Sequence, residues 1–304
     1  MDLGANDSVA VARPPGGWGG GGPARDRAGH ATGGPGGSGT ARWLLRRAGA
    51  KLGGFLRGRP RPLPVVPTGL RIYAVGDVHG RADCLARVFA EIDADRRRHP
   101  VAATLEIYLG DYVDRGPDSR GVIDLLIGRA ERRPIRPLLG NHEAMLLGAL
   151  APPGETSPLS QTWRRSGASD TLAAYGLPVA EGSRPSREEW PALVAAFRRD
   201  FPQAHRRFLA GCRPSVAYGS YFFAHAGIRP GIPVDAQDRA DLFWIREPFL
   251  TSRADHGAVV VHGHTPVREP DMRTNRINLD TGAYLTGRLG CVALEGNTQH
   301  VLCG

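Results

Sequence analysis

The sequence predicts an α/β domain with parallel strands, beginning near Leu70, and three observations carry that prediction. Short apolar runs alternate with helical patterns in the order β-α-β-α-β, the mark of a parallel layer. Each of those runs stops at a Gly-flanked polar cluster. Further along, the text stays rich in short apolar runs and adds two more such clusters.

In chain order, Arg71–Val75 is the first strand and ends in Gly76-Asp77. Residues 81–97 carry a helical pattern. Thr104–Leu109 is the second strand, ending in Gly110-Asp111, and 118–132 the second helix. Pro134–Leu139 is the third strand and ends in Gly140-Asn141. Glu143 caps the helix that opens there. Beyond it, strands are expected at 214–218, 221–225, 257–262, 276–280, 289–294 and 298–302. Helices are expected at 160–175, 187–198 and 202–210, and no repeat of fixed period is visible.

Residues 1–40 read differently. They are rich in Gly, Pro and Ala and almost devoid of large apolar side chains. Such a segment cannot bury enough surface to offset its ordering entropy, so disorder is expected. Residues 40–59 place Trp43, Leu44, Leu45, Leu52, Phe55 and Leu56 among Arg42, Arg46, Arg47, Lys51 and Arg57. At helical spacing this is a short basic amphipathic helix, although Gly53 and Gly54 weaken it. It would make a weak contact with a membrane surface or a partner, or dock on the body. Pro60, Pro62, Pro64 and Pro67 then form a stiff linker. The expected organisation is a 1–66 tail followed by one folded domain over 67–304.

The chain has 304 residues, 41% of them hydrophobic, enough for one sizeable core plus a tail. Its net charge is +9, but all 39 basic residues except Lys51 are arginine. With abundant Ala, Gly and Pro, that skew resembles GC-rich coding, so the charge is not read as a nucleic-acid footprint. Cys84, Cys212, Cys291 and Cys303 are scattered, with no CxxC pair and no disulfide framework. Reduced thiols and a cytoplasmic setting are expected. No run of 18 apolar residues and no secretory start is present.

The chemistry gathers where strands end: Gly76-Asp77-Val78-His79-Gly80, Gly110-Asp111-Tyr112-Val113-Asp114-Arg115-Gly116, Gly140-Asn141-His142-Glu143, His225-Ala226-Gly227 and Gly263-His264-Thr265. In α/β sheets ligands collect beyond the carboxyl ends of strands, so these clusters should converge. Asp77, His79, Asp111, Asn141, His225 and His264 offer only oxygen and nitrogen, which suits Mn, Fe or Zn in an open catalytic site. Six such groups are too many for one tetrahedral ion and fit two ions sharing a carboxylate. Two ions ~3.5–4 Å apart clamp both oxygens of an in-line displacement at phosphorus.

Those five blocks resemble the GDxHG, GDxVDRG, GNHE, HAG and GHT blocks of the calcineurin-like metallophosphoesterases, above all the phosphoprotein phosphatase branch and its bacterial serine/threonine phosphatases. The resemblance spans roughly 70–300. It implies two mixed β-sheets packed as a sandwich and flanked by helices, with two divalent ions at one edge, Mn first and Fe or Zn as alternatives. Residue by residue, it implies that Asp77, His79 and Asp111 hold the first ion. Asp111 would bridge to a second ion, completed by Asn141, His225 and His264. His264 is preferred to His262 because it occupies the family's position in GHT. His142 resembles the general acid and Asp114 the carboxylate that orients it. Arg115, Arg246 and Asn141 are the expected substrate contacts, with an ion pair to Glu247 the other reading of Arg246. Asp280 would orient a ligand histidine or merely shape a turn. Trp163, Arg164 and Arg165 lie in a 150–200 insertion that would form either one wall of the cleft or, the preferred reading, an amphipathic helix with solvated arginines.

Within the family two substrate classes compete. Relatives that cleave dinucleoside tetraphosphates symmetrically typically read VARG where this chain has Val113-Asp114-Arg115-Gly116, Asp where it has Glu143, and Trp where it has Thr265. All three positions favour a phosphatase acting on phosphoserine, phosphothreonine or, as in bacterial members, phosphotyrosine or phosphohistidine in proteins, or on a small phosphoester. The dinucleotide reading stays as the alternative. A third is an inactive module binding through its basic tail.

Overall fold

The computed structural model describes residues 63–152 and 158–304. The expected helix over 40–59, and the tail up to residue 62, lie outside the described residues. The last residues assigned to the tail pack on the body. Val66 is buried and donates its N–H to the Gly296 carbonyl, and the Val65 carbonyl accepts from Ser220 N–H.

The chain runs β1 (Leu70–Val75), α1 (Ala82–Arg98), β2 (Ala103–Tyr108), α2 (Ser119–Ala130), β3 (Ile135–Pro137) and α3 (Asn141–Leu150). Four helices follow: α4 (Leu159–Trp163), α5 (Ala168–Ala174), α6 (Trp190–Asp200) and α7 (Gln203–Gly211). The second half holds β4 (Ser215–Tyr218), β5 (Tyr221–Ala224), α8 (Arg239–Trp244), β6 (Val259–His262), β7 (Asp271–Met272), β8 (Arg276–Asn278), α9 (Ala283–Thr286), β9 (Cys291–Glu295) and β10 (Thr298–Cys303).

Two mixed five-stranded sheets result, as the resemblance implied. The first has the order β10-β9-β1-β2-β3 and the second β4-β5-β6-β8-β7. Each has three parallel strands: β1-β2-β3, which runs to one edge of the first sheet with antiparallel β9 and β10 beyond β1, and β5-β6-β8, which is central in the second with antiparallel β4 and β7 at its edges. Strand periodicity sorts the side chains. Ile72, Ala74 and Ile107 point into a core shared with Phe223, Val261 and Ile277 of the second sheet. Their neighbours Tyr73, Val75 and Tyr108 face α1, α2 and the helical insert. Phe222 and Val260 pack on Leu242, Phe243 and Phe249. Each such side chain, fully buried, is worth about 1.5–3 kcal/mol.

Three expectations needed revision. The third strand is only Ile135–Pro137, because Pro134 and Pro137 carry no N–H and the chain then turns to Arg213. The helix expected at 160–175 is two helices, broken at Gly167, whose φ is +99°. The short helices α8 and α9 and the two-residue strand β7 were not anticipated, and none is long enough to show a hydrophobic period. All four cysteines are free, and among the described residues no helix is long and apolar enough to cross a membrane.

One polar network lies inside the first sheet. Arg129 of α2 binds Glu106 of β2 through two hydrogen bonds of 2.8 and 2.9 Å and Asp93 of α1 through two more. The fork thus ties both helices to the strand between them, with its carboxylates paired rather than stranded.

Candidate metal centre

All five clusters meet at one place, and the backbone there is unusual. Among the described residues, five that are not glycine have φ in the left-handed region: His79, Asp111, Asp114, Arg115 and His264. Each lies in one of the clusters. Such conformations cost of order 1–3 kcal/mol apiece and persist where the surroundings over-determine them. Glycines let the loops touch. A Cβ on Gly263 would overlap Asp77 Oδ1, and one on Gly140 would overlap Asp111 Oδ1. Gly263 and Gly140 are therefore required by close approach rather than by turn geometry.

Two triads share Asp111. His79, Asp111 and His142 present nitrogen and oxygen atoms within 4.8 Å of one another, as do Asp111, His225 and His264. All five residues are buried. The common carboxylate is the one expected to bridge. The first triad closes on His142 where the resemblance named Asp77. Asp77 sits just behind, with Oδ2 accepting the His264 N–H at 2.9 Å.

The hydrogen bonds fix the imidazoles. His79 donates Nδ1–H to the Val113 carbonyl at 2.9 Å, and His225 donates Nδ1–H to the Leu109 carbonyl at 3.0 Å. Their Nε2 lone pairs therefore face inward, the arrangement metal-binding histidines adopt. His225 Nε2 lies 2.9 Å from Asn141 Oδ1, 3.2 Å from His264 Nδ1 and 3.4 Å from Asp111 Oδ2. His264 Nδ1 is itself 2.9 Å from Asn141 Oδ1. Four acceptor atoms crowd one point, while Asp77 Oδ1 is buried with no hydrogen-bond partner. This donor set fits a hard or borderline divalent cation, which would satisfy lone pairs that no proton donor reaches.

Electrostatics agree with that fit. Burial drives His79 and His225 below the ordinary histidine range and His264 down to about 3, which favours the neutral form a ligand needs. Burial pushes Asp77 well up, and the nearby Asp280 and Asp111 push it further. Asp280, raised to about 6 chiefly by burial, accepts the Gly282 N–H at 2.9 Å. It faces Asp77 rather than a histidine. Paired buried carboxylates of this kind are relieved by positive charge.

His142 differs from the other histidines. Its Nδ1 is 2.6 Å from Asp114 Oδ2, and both side chains are buried. Burial alone would lower its pKa, but the Asp111 and Asp114 carboxylates outweigh burial and raise it. Arg115 leans over the site, with Nη1 3.0 Å from His79 Nε2 and Nη2 3.0 Å from His142 Nε2, and stacks on Tyr284. Arg246 is exposed at the rim, close enough for its charge to act on His264, and no ion pair with Glu247 is formed. His262 points away, edge-on to Phe249 and near Arg276.

Two groups were underrated in the sequence. Glu143 does cap α3, accepting Gly140 N–H at 3.0 Å, but it also accepts the N–H groups of Asp111, Tyr112 and Val113. It pins the second cluster to the third. Trp163 is fully buried, as an amphipathic helix allows, but it also donates Nε1–H to Asp114 at 2.9 and 3.0 Å. Arg164 is buried too, bonding the Pro185 carbonyl. No local pattern in the sequence reports either contact, since both join residues distant along the chain.

A model of the calcineurin-like phosphoesterase family matches residues 70–304, and the chain belongs to that family. Serine/threonine-protein phosphatase 1 of Salmonella typhimurium is 29% identical over 234 residues, covering 74% of this chain and 92% of that protein. An asymmetrical bis(5'-nucleosyl)-tetraphosphatase of Halalkalibacterium halodurans is 27% identical over 235 residues, covering 71% and 86%. A crystal structure of a putative diadenosine tetraphosphatase superposes with a TM-score of 0.52 at 21% identity, covering 80% of this chain and 98% of that one, a likeness of fold.

Proposed function

We propose that this protein is a dinuclear-metal phosphatase acting on phosphate monoesters, most of all on phosphoserine, phosphothreonine or phosphotyrosine in proteins. The buried Asp114–His142 contact carries the reading. A phosphoester of serine leaves as an alkoxide, a poor leaving group that needs a proton. A polyphosphate leaves readily without one. An imidazole raised in pKa by two carboxylates supplies that proton near neutral pH.

Asp77, His79 and Asp111 would hold one cation and Asp111, Asn141, His225 and His264 the other. When bound, two such cations supply Lewis-acid charge at the phosphoryl group and acidify water enough for attack at neutral pH. The chain's own residues do the rest. Asp114 holds His142 Nδ1–H, so Nε2 faces the departing oxygen. Arg115 presents its fork over the site, suited to two phosphoryl oxygens, and Arg246 adds a second positive charge at the rim. Asn141 serves at the same edge as a contact to substrate. Mn is the metal of first choice for this all-oxygen-and-nitrogen donor set, with Fe or Zn as alternatives.

Cleavage of dinucleoside tetraphosphates is the second reading, favoured by the names of several relatives. Paired turnover assays on Mn-loaded protein separate them: a phosphoserine or phosphotyrosine peptide in one arm, diadenosine tetraphosphate in the other. Faster turnover of the peptide, abolished in His142→Asn, is the expected result. Faster turnover of the dinucleotide would transfer the substrate class to the second reading.

A further inference from the structure

We infer that Trp163 and Thr171, both from the helical insert between α3 and α6, are positioning residues for the general acid, acting through Asp114. The inference rests on the monoesterase reading above and assigns that insert a part in it.

Among the described residues, the Asp114 N–H and carboxylate have four side-chain hydrogen-bond partners, His142 and three that take no part in the proposed chemistry directly. Trp163 Nε1–H lies 3.0 Å from Oδ1 and 2.9 Å from Oδ2. The Thr171 hydroxyl donates to Oδ1 at 2.5 Å and accepts the Asp114 N–H at 2.9 Å. Ser119 Oγ shares that same N–H at 3.0 Å and touches Thr171 Oγ1 at 3.0 Å. His142 Nδ1 is the fourth, on Oδ2. Asp114, Ser119, Trp163 and Thr171 are all fully buried. The carboxylate has no solvent-exposed surface, and the Trp163, Thr171 and His142 donors set its plane and complement its charge.

The arrangement does more than satisfy a buried tryptophan. A Trp N–H needs some acceptor, but here it and the Thr171 hydroxyl converge on the single carboxylate that orients His142, while Ser119 Oγ supports Thr171 and the Asp114 N–H from behind. Thr171 grips both the backbone and the side chain of Asp114, a residue held at φ +72° and followed by Arg115 at +69°. Gly167 permits the approach: a Cβ there would press on Arg115 Cγ and N at 3.2 Å. The indole is itself locked by Trp190 and Phe197, each with ring centroid 5.5 Å away. Rotation of the Asp114 carboxylate would swing Oδ2 off Nδ1 and free the imidazole to turn. Proton delivery to the departing oxygen depends on that angle.

The test uses Trp163→Phe and Thr171→Val, with Thr171→Ser to restore the hydroxyl and Asp114→Asn as reference. Mn-loaded proteins are assayed on phenyl phosphate, whose leaving group needs protonation, and on p-nitrophenyl phosphate, whose leaving group does not. Both variants should lose about tenfold in kcat on phenyl phosphate, the effect of one misplaced hydrogen bond, with much smaller loss on p-nitrophenyl phosphate and little change in KM. Thr171→Ser should recover most of it. In Zn-loaded protein, where no paramagnetic ion broadens the signal, the downfield proton resonance of His142 Nδ1–H should shift in Trp163→Phe and Thr171→Val. If Asp114→Asn lowers both substrates equally, the acid assignment itself fails. If Asp114→Asn discriminates between them but Thr171→Val does not, the acid stands and the positioning inference is overturned. Thr171→Val, nearly isosteric, decides the matter should Trp163→Phe not fold.

Discussion

Replacing His142 by Asn removes an imidazole that meets Asp114 on one nitrogen and Arg115 on the other, and that lies 4.0 Å from Asp111. None of the proposed ligands hydrogen-bonds to its side chain, whose partners are Asp114 and Arg115. Turnover of a phosphoserine peptide should fall ~10²–10⁴-fold, the range for a lost general acid, while metal content measured by elemental analysis stays near two per chain. Asp111 is the opposite case. Both triads share it, and its Oδ1 also accepts the His142 N–H at 3.0 Å. Asp111→Asn should therefore lose both metals. Metal loss in His142→Asn with retention in Asp111→Asn would reverse the two assignments.

Among the elements, the Arg129 fork is the main polar fastener between α1, β2 and α2. Hydrogen bonds from Arg129 hold the Asp93 carboxyl below the usual carboxylate range. A depressed folded-state pKa means the pairing stabilises the protein above the unfolded value, ~3.9, and is lost as pH falls through the lower folded value. Asp93→Asn should thus be less stable than wild type at pH 7 in urea titrations, with the gap closing between pH 5 and pH 2. An unchanging gap over that window would mean that Asp93 acts through packing alone. Arg129→Met is a harsher change, because it leaves Glu106 buried without its partner. A loss of about 3–5 kcal/mol is expected.

For the molecule as a whole, the site is a store of unfavourable electrostatics at the junction of two sheets. Asp77 beside Asp280, and the Asn141 oxygen among three other acceptors, sit where β1, β2, β3, β5, β6 and β8 bring their ends together. Ligands that bind the folded chain and not the unfolded one raise its stability by mass action, about 2.7 kcal/mol per site at a hundredfold excess over Kd. Adding Mn to chelator-stripped protein should raise the melting temperature by roughly 5–10 °C. The double variant Asp111→Asn, His225→Ala should show no such rise. If it does, the cations bind elsewhere.

The strands and α helices of the first half were legible because apolar period and Gly-Asp or Gly-Asn stops occur within a few residues of one another. Asp77, His79, Asp111, Asn141, His225 and His264 stood out as candidates for a related reason: each lies within a few residues of a strand's end. What the linear text determined was therefore a set of residue types at strand ends, and the family those blocks resemble. The tertiary structure decided what no local pattern encodes. It set which carboxylate lies in both triads, which histidine nitrogens turn inward, and that Glu143 and Trp163 reach 31 and 49 residues along the chain to Tyr112 and Asp114. It also turned Asp280 toward Asp77 and His262 away from the site. These are contacts between distant segments, fixed by how two sheets and a helical insert pack, and packing is a property of the assembled chain rather than of any window within it.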